Sequence, residues 1–212
     1  MNTAVIGLGN IGSRVAKNLT SSGESVIVSE RNVAKAHELA AKLGEKAQAM
    51  SVEYALNNAD IVILAIMFQA IKDFIAEYRD ALAGKIIVDP SNPIAPDGKG
   101  GFKKIIAADQ SSGKIIAGLV PQGVKVVKAF GTLSAESLGS AANRSPERAV
   151  LFYATDNPEA GKAVAKLITA SGFDPVNLGG IDQSIRIEVG GDLHEFGKLG
   201  KPVSAKETKA LV

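Results

Sequence analysis

The chain has 212 residues, 46% of them hydrophobic and 22% charged, so it carries the apolar content of a globular domain and not that of a disordered segment or a rod. Lys plus Arg number 24 against 22 Asp plus Glu, and a net charge of +2 makes no electrostatic case for nucleic acid; with no Trp, a base-stacking platform is not expected either. The absence of Cys excludes disulfides, a thiol nucleophile and any Cys-held metal. The longest unbroken apolar run, Ile61–Phe68, is far short of a membrane span, and no basic stretch precedes the first apolar run, so the expectation is a soluble, cytoplasmic chain with no membrane partner.

Taken in order, strand-like and helix-like stretches alternate. Thr3–Ile6 is a short apolar run ended by Gly7 and reads as a buried strand. Ile11, Val15 and Leu19 recur at a spacing of four, one face of a helix. Val26–Val28 is a second buried strand; Asn32 can cap a helix through Leu43, with Gly44 as its stop. Ala47–Met50 is a weak third strand, and Ser51 caps a short helix. Asp60–Ile66 is the strongest strand, and its lack of polar alternation calls for cover on both faces. Phe68, Ile71, Phe74, Ile75 and Tyr78 mark the next helix, and Lys85–Val88 a fifth strand.

The rhythm then changes. Ser91–Gly101, with its Pro and Gly, reads as a long functional loop. Ser111–Leu119 is a short helix, Val124–Ala129 and Ala149–Ala154 are strands, Pro158–Ser171 is a helix and Phe173–Leu178 the last strand. Beyond Gly179 the pattern assigns little. The alternation implies an α/β, doubly wound, mostly parallel sheet of the Rossmann type, with residues 1–178 as the dinucleotide-binding domain and 179–212 as a small extension packed on it or on a partner subunit. Such sheets take their ligand beyond the carboxyl ends of the strands.

Gly7-Leu8-Gly9-Asn10-Ile11-Gly12 is a G-x-G-x-x-G motif that follows the first strand and opens the first helix, the context that gives the motif meaning. Gly7 allows the tight turn, Gly9 leaves room for a pyrophosphate, and Gly12 lets helix and strand pack closely. The helix start offers unpaired N–H groups to phosphate. The second strand ends Ser29-Glu30-Arg31, with Lys35 one helical turn on. Glu30 stands where an acidic residue holds the adenosine ribose 2′-hydroxyl of NAD(H); Ser29, Arg31 and Lys35 can instead hold the 2′-phosphate of NADP(H). At the end of the fourth strand, Ala65, Ile66 and Met67 should pass beside the nicotinamide ribose, with Phe68 toward a second ligand.

These residues, with Asp89-Pro90-Ser91-Asn92-Pro93, Val126–Thr132 and Gly172–Val176, make the chain resemble the F420-dependent NADP reductases over nearly its whole length. The resemblance implies a Rossmann domain with a small C-terminal extension, a homodimer, NADPH as the favoured cofactor, and direct hydride passage between nicotinamide and a deazaflavin or flavin co-substrate. Two positions depart from the family: Met67-Phe68 stands where a Pro-aromatic pair is usual, and Glu30 where a small residue is usual.

Candidate acids are scarce. His37 reads as a solvated helix residue; His194, beside Asp192 and Glu195, reads as a surface-loop residue or, in the functional alternative, as a proton relay or pocket-shaping group. No H-x-x-H or H-E-x-x-H spacing occurs, so a protein-held metal is not expected. Lys128 reads as structural or phosphate-facing. The leading function is an NADPH-dependent oxidoreductase with a small-molecule hydride acceptor; a small carbonyl or imine reductase and a non-catalytic NAD(P) sensor are the alternatives. The acceptor is expected in a cleft formed by Met67-Phe68, Asn92-Pro93 and Phe130-Gly131-Thr132, with Asn92 and Thr132 as its polar contacts.

Overall fold

The computed structural model describes residues 1–209 and 211. The alternation reads out as β1 (Thr3–Ile6), α1 (Asn10–Ser21), β2 (Val26–Ser29), α2 (Val33–Leu43), β3 (Ala47–Ala49), α3 (Val52–Asn58), β4 (Ile61–Leu64), α4 (Phe68–Glu77) and β5 (Ile86–Asp89). The second half holds β6 (Ile94–Pro96), β7 (Phe102–Lys104), α5 (Ser112–Leu119), β8 (Lys125–Lys128), α6 (Ala135–Ser140), β9 (Val150–Tyr153), α7 (Pro158–Ala170) and β10 (Asp174–Asn177). A 3-10 helix (Ile181–Ile187) and α8 (Ala205–Thr208) follow. The helix starts are chemical. Asn32 Oδ1 accepts from the Ala34 N–H and Ser51 Oγ from the Tyr54 N–H, which satisfies donors that a helix leaves orphaned.

Six strands form one parallel sheet in the order β3-β2-β1-β4-β5-β8. β1, β4 and β5 are buried along their whole length: the apolar runs Ala4–Ile6, Ile61–Leu64 and Ile86–Val88 call for cover on both faces, and the polar ends Thr3 and Asp89 are buried with them. Side chains alternate between two cores: Val5, Ile63, Val88 and Val127 pack with Val15 and Leu19 of α1 and Val164 of α7. Ala4, Ile6, Val62, Leu64 and Ile87 pack with Leu56, Phe74 and Ile116 of α3, α4 and α5. The strand order reverses between β1 and β4, which opens a crevice beyond their carboxyl ends. Among the described residues no helix is long and apolar enough to cross a membrane.

Three regions differ from the expectation. The segment 91–101 is not a plain loop: β6 and β7 pair antiparallel as a small hairpin. Asp97 Oδ1 accepts from the N–H groups of Lys99 and Gly101, at 2.7 and 2.9 Å, and closes its turn. Strands of three residues are too short to display a period. α6 is also unforeseen, because only Leu138 of its six residues is buried. Its start is held by Ser134 Oγ, which accepts from the Ser137 N–H, and by a distant residue, Glu195, whose carboxylate accepts from the Ser134 N–H. The segment after Gly179 is ordered against the rest. The 3-10 helix packs on α5 and β8, and Ile187, Leu193 and Val203 cover Val150 and Phe152 of β9. β9 and β10 pair with each other in parallel, and an antiparallel bridge between Ala154 and Lys128 links them to the main sheet.

Candidate functional site

The glycine turn shows three separate constraints. Gly7 has φ +89°, and a Cβ there would lie 2.5 Å from the Ala65 carbonyl oxygen. A Cβ on Gly12 would lie 1.9 Å from the Gly7 carbonyl oxygen and 2.9 Å from Ala65 Cβ, so α1 can approach β1 and β4 only with glycine there. Gly9 is different: its φ is an ordinary −72°, and nothing lies within 4 Å of where its Cβ would be. The space over Gly9 is open on the side that the helix start faces. No side chain caps α1, so its first N–H groups stand free for an anion. The open space over Gly9 and the uncapped helix start therefore fit a pyrophosphate. Asn10 and Ile11 open the helix at that point, and half-buried Leu8 packs toward the first core.

At the end of β2 the four expected residues separate. Glu30 reaches back to the turn: Oε2 accepts from the Leu8 N–H at 3.0 Å and Oε1 from the Arg31 N–H at 2.9 Å. Arg31 is exposed beside it. Ser29 is a correction. It is wholly buried, and its hydroxyl has no partner among the described residues, so it presents no surface to a ligand. Lys35 is exposed on α2 and stands outside the cleft that Glu30 and Arg31 line.

Two clefts meet at the glycine turn. One, of about 540 Å³, is lined by Gly7, Gly9, Glu30 and Arg31 and by Ala65–Met67 with α4 residues beyond. The other, of about 380 Å³, runs from Gly9–Ile11 and Ala65–Gln69 to Pro90, Ser91 and Asn92, and on to Ile94, Pro96 and Phe102 of the hairpin. Gly9, Ala65, Ile66 and Met67 line both, so the two are halves of one groove over the ends of β1 and β4. Among the described residues, the lining of the second half contains no Asp, Glu, Lys, Arg or His. Its apolar rim is open: Met67 is 66% and Phe102 64% exposed.

The expected third wall is replaced. Phe130 is fully buried in the first core at φ +65°, and Thr132 is 1% exposed, so neither lines the groove. A Cβ on Gly131 would fall 2.4 Å from the Pro90 carbonyl oxygen, which shows the 130–132 turn packed beneath the loop as a floor. Pro93 is buried as well. Asn92 does line the groove, but its amide is committed: Nδ2 donates to the Gly131 carbonyl at 3.0 Å and Oδ1 accepts from the Val189 N–H at 2.8 Å. The hairpin supplies the wall instead. Phe102, an aromatic stranded in a Gly- and Lys-rich stretch without core periodicity, was the available sequence signal.

Beneath the wall lies a buried ionic cluster. Lys128 Nζ donates to Asp89 Oδ2 and to Ser112 Oγ, each at 2.7 Å, and to the Ser91 carbonyl. Asp89 Oδ1 accepts from the Ser91 N–H at 2.8 Å. Glu188 Oε1, 3.9 Å from Nζ, accepts from Ser112 Oγ and the Gly113 N–H. Lys128, Asp89 and Glu188 are each at most 1% exposed. Lys128 is thus structural: it pins the backbone of Ser91, and through it the loop that lines the groove. His194 is no surface residue but 2% exposed. Nε2–H donates to the Gly131 carbonyl at 3.0 Å and Nδ1 accepts from the Phe196 N–H at 2.8 Å. Burial pushes its pKa down to about 4, against the bond to Gly131. With both nitrogens occupied it braces the floor and has none free to relay a proton. No group of His, Asp or Glu that could hold a metal occurs among the described residues.

This is the architecture of a Rossmann-type NAD(P)-dependent oxidoreductase. Residues 2–93 match the family described as NADP oxidoreductase, coenzyme F420-dependent. The chain is 31% identical over 199 residues to the F420-dependent NADP reductase of Methanothermobacter thermautotrophicus, covering 89% of this chain and 85% of that protein. It belongs to the F420-dependent NADP reductase family. It is also 32% identical over 184 residues to rat Metalloreductase STEAP3, 87% of this chain but only 35% of that relative's length. Among solved structures, hypothetical protein SMa0349 of Sinorhizobium meliloti superposes with a TM-score of 0.83 at 34% identity, over 92% of this chain and 93% of that one.

Proposed function

We propose that this chain binds NADPH along the groove and hands its hydride directly to a flat flavin- or deazaflavin-type ring, such as F420, stacked in the second half. Bound NADPH supplies the hydride and leaves as NADP⁺. The protein's part is binding and placement. The free N–H groups at Gly9–Ile11 would hold the pyrophosphate, and Arg31 the 2′-phosphate. Ala65, Ile66 and Met67 would carry the nicotinamide ribose, while Phe68, Ile94, Pro96 and Phe102 exclude water from the ring faces.

One observation carries the reading: the second half-groove has no ionisable lining side chain among the described residues. Reduction of a carbonyl or imine draws on a placed proton donor; ring-to-ring hydride passage does not. A sensor would need the cofactor half alone, whereas the groove extends past it along an open apolar wall. Stopped-flow oxidation of NADPH with F420, FMN, a quinone, a ketone and an imine tests this. Rapid oxidation by a ring acceptor is expected. Turnover of the ketone or imine alone, or oxidation by none, overturns the proposal.

A further inference from the structure

We infer that Glu30 lets this site accept NADH alongside NADPH and sets the ratio between them; the inference rests on the dinucleotide reading above. The Glu30 carboxylate is fastened at both oxygens, by the Leu8 N–H at 3.0 Å and the Arg31 N–H at 2.9 Å, and it lines the cofactor half of the groove. Turning away would cost both bonds and leave the part-buried Leu8 N–H of the glycine turn without its partner. Each carboxylate oxygen keeps a lone pair to accept a ribose 2′-hydroxyl, the role an acid at the end of the second strand takes in this fold. A 2′-phosphate brought to the same place meets a like charge. The groups that would favour the phosphate are reduced here: Ser29 is wholly buried and Lys35 lies outside the cleft lining, which leaves the exposed Arg31 guanidinium. One tethered anion and one exposed cation lining the same cleft make a balanced site, not an NADPH-exclusive one.

The test is titration of the full chain with NADH and with NADPH, for the native protein, Glu30→Ser and Glu30→Gln. The native Kd values should lie within about tenfold of each other. Loss of a bond to the carboxylate should weaken NADH about tenfold or more in Glu30→Ser, with NADPH unchanged or tighter. Glu30→Gln, which keeps the size and removes the charge, should shift the ratio in the same direction. NADPH bound with NADH excluded from the native protein overturns this inference and leaves the dinucleotide reading standing. Equal weakening of both cofactors by both variants also overturns it, since the carboxylate would then serve only the glycine turn. Binding of neither cofactor to the native protein removes the dinucleotide reading, and this inference with it.

Discussion

Lys128→Met isolates the cluster that positions the groove. Methionine keeps the length and apolar stem of lysine but removes the charge and three donated bonds, to Asp89, Ser112 and the Ser91 carbonyl. What remains is a carboxylate at Asp89 with no exposed surface, still accepting from the Ser91 N–H but facing an apolar thioether. Breaking a buried pair by removing one partner costs about 3–5 kcal/mol, because a charge is left uncompensated. For a chain of 212 residues, at roughly 2–4 °C per kcal/mol, that is a fall in Tm of about 6–20 °C. Thermal and urea melts of the native protein and the variant measure it. Adding Asp89→Asn should return part of the loss, since the stranded charge goes with it. A loss below about 1 kcal/mol, or a double variant worse than the sum of the singles, refutes the account of the cluster.

Other outcomes follow from the same geometry. Gly9→Val should abolish dinucleotide binding while the fold melts normally, since among the described residues nothing beyond its chain neighbours lies within 4 Å of the new Cβ; calorimetric titration beside a melt checks both. His194 is held neutral, with its pKa lowered from 6.5 to about 4, so the unfolded chain takes up its proton first as pH falls. Its contribution is complete above pH 6.5 and lost between 6.5 and 4, by about 3 kcal/mol; urea melts across that window should show a flatter fall in His194→Gln than in the native protein. Arg31→Ala should weaken NADPH about tenfold and spare NADH, measured by fluorescence titration. Phe102→Ala should raise the KM of a ring acceptor severalfold and leave the Kd of NADPH in place, because Phe102 lines only the second half of the groove.

The parallel sheet was legible because β4 is apolar throughout and β1 and β5 are apolar but for Thr3 and Asp89 at their ends, and Asn32 and Ser51 announce helix starts through local chemistry. The glycine motif was legible because its spacing lies within one turn of chain directly after β1, although the atoms that confine Gly7 and Gly12 include those of Ala65 at the end of β4. What stayed hidden depends on contacts distant in sequence. The start of α6 is held by Glu195, 61 residues from Ser134, and Asn92 is committed to Val189, 97 residues away. No local pattern reports such a partner. The burial of Phe130 turns on a left-handed backbone in a non-glycine residue, which the sequence does not mark, and the hairpin of β6 and β7 is too short to show alternation.

If both halves of the groove form one hydride-transfer site, a crystal structure of the NADP⁺ complex must show it. The pyrophosphate is expected over Gly9 at the start of α1, and the nicotinamide in contact with Ile66 and Met67. The C4 atom should face the space walled by Ile94, Pro96 and Phe102, with room for a second ring at about 3–3.5 Å. A nicotinamide whose C4 faces bulk solvent, or a dinucleotide bound away from the glycine turn, would contradict it.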